Sequence, residues 1–278
     1  MRALAPILAL LCLLAGAVRA EPPRVVADIA PLHSLVARIM QGVAQPQLLL
    51  PATASPHQLT LRPSQARMLA RADLVFWVGP ALTPWLSRSL DALAPDAGKV
   101  AMMAAPGVVV LPMRSDPEFA DEDAEHANEH DGAADPHLWL DPVNAAAMLR
   151  AIAAALSDAD PGNRALYEHN LARALAGNMR LQADLAALLA PLRGRPYLVA
   201  HDAYQYLERR FGLHPAGAIA PGEATAPGPA RVAALRALIA DGKIQCIFAE
   251  PQTPGRLIAT VASDGNVTLA TLDPLGAG

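Results

Sequence analysis

The chain has 278 residues, 53 % of them apolar, and 22 Lys and Arg against 26 Asp and Glu give a formal charge of −4. That length accommodates one large domain or two medium ones, and two are expected. The acidic balance excludes a basic nucleic-acid surface, so no nucleic-acid partner is expected.

In chain order, Met1-Arg2 leads into an apolar run from Ala3 to Val18 that closes on Val18-Arg19-Ala20. A short basic start, an apolar middle and small residues at the end predict a cleaved signal peptide over residues 1–20. The run falls short of the roughly 20 residues that a spanning helix needs. Cleavage removes Arg2 and Arg19, takes the formal charge from −4 to about −6, and leaves Cys246 as the sole cysteine of an exported protein. Either Cys246 is a small buried residue in Ile244-Gln245-Cys246-Ile247-Phe248 or it lacks a disulfide partner.

Val25-Val26-Ala27 predicts a strand, followed by a helix carrying Leu35, Val36 and Ile39. Leu48 to Leu50 predicts a second strand, Ser64 caps a helix over Gln65 to Arg71, and Leu74 to Val78 is a buried strand ended by Gly79-Pro80. Strands alternating with helices predict a parallel sheet covered on both faces. Residues 116–135 carry nine carboxylates with His126 and His130, which predicts a flexible acidic loop.

Alanine and leucine dominate from Asp141-Pro142 to Pro191, broken at Asp158 to Gly162, and predict two helices. The second occupies the span 161–192, with Leu171, Leu175, Met179, Leu185, Leu188 and Leu192 forming its apolar stripe. Some 30 residues at 1.5 Å each give roughly 45 Å, enough to connect two lobes and restrict hinge motion. The second half repeats the rhythm: strands at Pro196 to Ala200, Cys246 to Ala249 and Leu269 to Leu272, and helices at Tyr204 to Phe211 and Val232 to Ile239. The expected fold is therefore α/β. A first lobe spans residues 21–160, a connector helix 161–192 and a second lobe 193–278, each lobe holding a parallel sheet flanked by helices.

Three of the eight histidines stand in loops or at a strand end, where open α/β sheets place their ligands. His57 lies in Ala54-Ser55-Pro56-His57, a turn stiffened by proline. His137 lies in Asp135-Pro136-His137-Leu138-Trp139-Leu140-Asp141-Pro142, whose apolar neighbours predict burial. A buried imidazole needs a partner. His201 closes the strand Tyr197 to Ala200. Residue type and surroundings leave each open to a solvated or structural role.

Several ordered motifs resemble the ZnuA-like zinc-binding components of bacterial ABC importers. They are Ser55-Pro56-His57 with Leu61-Arg62-Pro63-Ser64, His137-Leu138-Trp139-Leu140, His201-Asp202-Ala203-Tyr204, Ala249-Glu250-Pro251-Gln252 and Leu272-Asp273-Pro274-Leu275-Gly276. The likeness spans nearly the whole chain after the signal. It implies two α/β lobes joined by a long helix, and one tight Zn2+ site in the cleft between them held by His57, His137 and His201. Manganese members place a carboxylate where this chain has His201, and imidazole suits zinc better than manganese.

For the fourth ligand, Pro56 stands where some members carry a glutamate, and Asp273 is the replacement; water or a loop histidine are the alternatives. His126 and His130 are candidates for secondary metal capture. Glu250 and Asp202 are candidates to orient ligating imidazoles. The resemblance further implies a monomer in the periplasm that delivers Zn2+ to a membrane permease with a separate ATPase subunit, with a periplasmic metallochaperone as a candidate loading partner. Members of the family continue past the Asp-Pro-Leu-Gly motif into a final helix, often with a cysteine that pairs with the Cys246 position, so either this second lobe is C-terminally truncated, which accounts for the lone cysteine, or it lacks a packing element.

Two other readings compete. A manganese or iron importer component, or a metal-dependent adhesin, would use the same fold. A zinc hydrolase would use three histidines plus water, but the chain has no His-Glu-x-x-His helix, no Gly-x-Ser-x-Gly elbow and no Gly-rich phosphate loop. No enzymatic activity is expected.

Overall fold

The computed structural model describes residues 21–57, 61–114, 133–220 and 227–277. The expected signal peptide and the acidic segment with His126 and His130 lie outside the described residues. No helix among the described residues is long and apolar enough to cross a membrane.

Two four-stranded parallel sheets organise the chain. The first has the order β2-β1-β3-β4, formed by β1 (Val25–Ala27), β2 (Gln47–Leu48), β3 (Leu74–Trp77) and β4 (Gly98–Ala101). Around it pack α1 (Ala30–Ile39), α2 (Pro63–Ala70), α3 (Pro84–Leu93) and α4 (Pro142–Ala159). β1 and β3 are buried on both faces, as continuous apolar runs in parallel sheets are.

The second sheet, β6-β5-β7-β8, repeats that order with β5 (Tyr197–His201), β6 (Gly217–Ala220), β7 (Cys246–Ala249) and β8 (Thr268–Thr271). Its helices are α6 (Gln205–Phe211), α7 (Pro229–Ala240) and α8 (Gly255–Val261). In both sheets the chain crosses from the first strand to one side and then to the other. This switch opens a crevice at the carboxyl ends of the strands.

Between the sheets runs α5 (Arg164–Leu189), 26 residues or about 39 Å, extended at either end by a single 3-10 turn. Its first half is fastened to the first lobe. Asn170 Nδ2 donates to the carbonyls of Ile39 (2.9 Å) and Gln41 (2.8 Å), and Asn178 Nδ2 donates to that of Pro142 (2.7 Å). Beyond that point the apolar stripe departs from the sequence expectation. Leu171 and Leu175 pack against the core, but Met179 is 71 % and Leu188 69 % exposed, because the helix outruns α1 and α4.

A second difference concerns α2. Its cap is Arg62, with Pro63 at the first helical position, and Ser64 lies inside the helix. The Gln65 side chain supplies the missing polar contacts: its Oε1 accepts from Arg62 N–H (2.8 Å), and its Nε2 donates to the Leu49 carbonyl (2.7 Å). Proline has no N–H to satisfy at that position, so the helix starts two residues earlier than a Ser64 cap would allow.

At the carboxyl end of β1, Asp28 is fully buried and pins β1 to β3: Oδ1 accepts from Ile29 N–H (2.8 Å) and Oδ2 from Val78 N–H (2.9 Å). Burial pushes its pKa up to about 7, against the two backbone donors that favour the charge. A carboxyl whose folded pKa exceeds its unfolded value binds its proton more tightly in the native state. Stability contributed there is present at low pH and lost as pH rises from about 4 towards 7, by at most roughly 1.4 kcal/mol per pH unit. Asp28→Asn is expected to flatten that slope in urea unfolding measured across the window, while lowering stability because its amide faces one backbone donor.

Candidate metal centre

Each of the three histidines is delivered by a different device. His57 ends a turn after β2 that is fastened along its length. Gln65 holds the Leu49 carbonyl, Gln252 Nε2 from the second lobe donates to the Ala52 carbonyl (3.1 Å), and Trp85 Nε1 donates to that of Pro56 (3.0 Å). His137 precedes the 3-10 turn Leu138–Leu140, whose Trp139 donates Nε1–H to the Pro274 carbonyl across the lobe boundary (2.8 Å). His201 is the last residue of β5, at the carboxyl edge of the second sheet.

These three rings converge. The centroids of His57 and His137 are 5.8 Å apart, and those of His137 and His201 are 5.3 Å apart. With zinc–nitrogen bonds of about 2.0–2.1 Å, tetrahedral placement puts ring centres roughly 5 Å apart. Among the described residues no group of three or more His, Cys, Asp or Glu side chains already stands in coordinating geometry. An ion would therefore draw the rings slightly together. His137 and His201 are 4 % and 3 % exposed, and Nε2 of all three histidines is buried. His137 Nε2 has no hydrogen-bond partner among the described residues. A buried ring nitrogen without a partner is costly unless something else takes its lone pair.

Carboxylates set the tautomer of the two buried rings. His137 Nδ1–H donates to Asp135 Oδ1 (2.8 Å), which also accepts the His137 backbone N–H (2.9 Å). His201 Nδ1–H donates to Glu250 Oε2 (2.6 Å), while Tyr204 OH donates to Glu250 Oε1 (3.0 Å). Ionised carboxylates only accept, so both Nδ1 atoms carry the proton and each Nε2 presents a lone pair. This is the arrangement that fixes ligating imidazoles.

Of the two carboxylates singled out in the sequence, Glu250 accepts from His201 Nδ1–H and Asp202 makes no such contact among the described residues. Asp202 faces Arg114 at 3.4 Å instead. The sequence reading missed Asp135 as the partner of His137, although its place two residues before that histidine, in Asp-Pro-His, was a local signal.

Asp273 lies at the cleft but is engaged in its own turn. Its Oδ1 accepts from Leu275 N–H (3.0 Å) and Gln252 Nε2 (3.4 Å), and its Oδ2 from Ala277 N–H. His33 is remote in role, its Nε2 donating to the Pro46 carbonyl (3.0 Å). Cys246 is a half-buried free thiol whose pKa burial raises. An apolar cavity of about 390 Å³ lies behind Trp139 between α1, α4 and α5, and none of the three histidines lines it.

Residues 25–278 match the model of the family described as zinc-uptake complex component A periplasmic, ZnuA. The chain belongs to this family. Among its relatives, the high-affinity zinc uptake system protein ZnuA of Paracoccus denitrificans is 38 % identical over 94 % of this chain and 86 % of its own length. A crystal structure of ZnuA superposes with a TM-score of 0.81 at 26 % identity, covering 92 % of this chain and 93 % of that one. A ZnuA deletion mutant with zinc bound superposes at 0.78 with 25 % identity, over 92 % of each. The two-lobe architecture joined by one long helix is thus the family's fold.

Proposed function

We propose that this chain is the zinc-binding component of an ABC importer, which takes up one Zn2+ in the periplasm through Nε2 of His57, His137 and His201 and passes it to a membrane permease. The observation that carries the reading is the meeting of three imidazoles from two lobes, two of them locked by carboxylates into the tautomer whose Nε2 carries the lone pair. A shell rich in neutral imidazole favours zinc over manganese, which prefers oxygen donors. Transfer follows parting of the lobes on the permease, with ATP hydrolysed by a separate subunit.

Titration of the metal-free protein should give one tight zinc per chain, with manganese displaced in competition; manganese binding tighter than zinc would overturn the assignment. Asp273 is the proposed fourth donor, since Gln252 Nε2, which donates to its Oδ1, also donates to the Ala52 carbonyl on the turn that carries His57. Asp273→Asn preserves one acceptor for the turn and should weaken zinc binding by roughly tenfold or more. A loss under about twofold would assign Asp273 to the turn and the fourth position to water.

A further inference from the structure

We infer that Arg114 is a positioning residue for zinc release, a cation of the first lobe whose grip on Asp202 and Glu208 of the second holds the cleft closed around the ion. The inference rests on the function proposed above and concerns how long the ion stays.

Arg114 follows a short antiparallel pairing of residues 111–113 with 133–135. There Met113 N–H donates to the Ala133 carbonyl and Asp135 N–H to that of Leu111, each at 2.8 Å. The same pairing delivers Asp135 to His137, so Arg114 is joined by a few bonds of backbone to the carboxylate that sets a ligand's tautomer. Across the lobe boundary, its Nη2 donates to Glu208 Oε2 and stands 3.4 Å from Asp202 Oδ1. Glu208 belongs to α6, and Asp202 is the chain neighbour of His201. One guanidinium, carried by the pairing that delivers Asp135, therefore contacts two carboxylates of the second lobe.

Its surroundings make the contact consequential. The side chains of Arg114, Asp202 and Glu208 are 15 %, 10 % and 4 % exposed, and Tyr197 OH holds the other Glu208 oxygen at 3.1 Å. Burial pushes the Glu208 carboxyl up and the charge of Arg114 opposes it. Withdrawing the cation would leave two carboxylates facing each other with little water, a cost far above that of an exposed pair. Removing the cation therefore destabilises the closed cleft, and opening must first break its contacts before water can reach the carboxylates.

A second inter-lobe pair provides the contrast. Arg210 grips Asp141 with both nitrogens, at 2.8 and 2.7 Å, but its side chain is 35 % exposed, and Asp141 also caps α4. Water can replace much of that contact.

Zinc-loaded full-length protein mixed with excess chelator in a stopped-flow instrument reads the release rate. Arg114→Met should release zinc about tenfold faster or more, at the lower end of what stranding a buried partner costs. Arg210→Met should stay within about threefold of wild type. Glu208→Gln should quicken release less than Arg114→Met, and adding it to Arg114→Met should restore part of the wild-type rate by removing the stranded charge.

Should Arg114→Met fail to fold, the nearly isosteric Glu208→Gln carries the test alone. Unchanged release in Arg114→Met and Glu208→Gln overturns the inference, as does equal acceleration in Arg210→Met, which would mean that any contact between the lobes serves. Wild-type protein that takes up no zinc overturns the proposed function, and this inference falls with it.

Discussion

Alanine in place of His57, His137 or His201 should each abolish tight zinc binding, as read by competition with a chelating dye. Losing a hydrogen-bond partner behind a ligand costs roughly 10- to 100-fold in metal affinity, and losing the ligand itself should exceed that. The three variants should not be equal in their effect on the fold. His137 and His201 are buried and tied to carboxylates, so their removal takes a ring donor from the buried Asp135 or Glu250, whereas His57 stands at the end of a turn. Circular dichroism should therefore show a lower melting temperature for His137→Ala and His201→Ala than for His57→Ala. A His57→Ala protein that still binds zinc at the wild-type affinity would remove the first lobe's turn from the site.

The next largest effect should come from the carboxylates themselves. Asp135→Asn and Glu250→Gln preserve shape but offer an amide where Nδ1–H needs an acceptor. The side-chain carbonyl can still accept, so the hydrogen bond weakens and the negative charge behind the ring is lost. Each should weaken zinc binding by roughly 10- to 100-fold, and the double variant by close to the product if the two rings are held independently. Glu250→Gln should also disturb Tyr204, whose hydroxyl donates both to Glu250 and to the Leu272 carbonyl (3.1 Å). An affinity unchanged in both single variants would mean that neither histidine ligates through Nε2.

Much of the architecture could be read from local pattern. Apolar runs such as Leu74 to Val78 and Cys246 to Ala249 announced strands, and the alanine-rich stretch after Asp141-Pro142 announced two helices. Where the pattern was silent, the reason is visible in the residues. β4 is Gly-Lys-Val-Ala on a sheet edge, partly exposed throughout, and β6 is Gly-Ala-Ile-Ala, whose small side chains give little strand preference. Neither was foreseen, nor were α3 and α8. The exposed end of α5 shows the converse: a stripe of leucines at helical spacing predicts a helix but cannot say how far a neighbour extends to cover it.

The site divides in the same way. By itself the sequence determined the alternating α/β elements and the long helix, because each depends on residue types close together in the chain, and its family-like motifs pointed to the three histidines whose rings lie together. The tertiary structure alone decided what surrounds them. Glu250 lies 49 residues from the His201 whose Nδ1–H it accepts, Arg114 reaches 94 residues ahead to Glu208, and Asp202, the chain neighbour of His201, faces Arg114. Spacing along a chain reports which face of a helix or strand a residue occupies. Which buried charge meets which is settled only when two lobes close and each polar group must find a partner away from water.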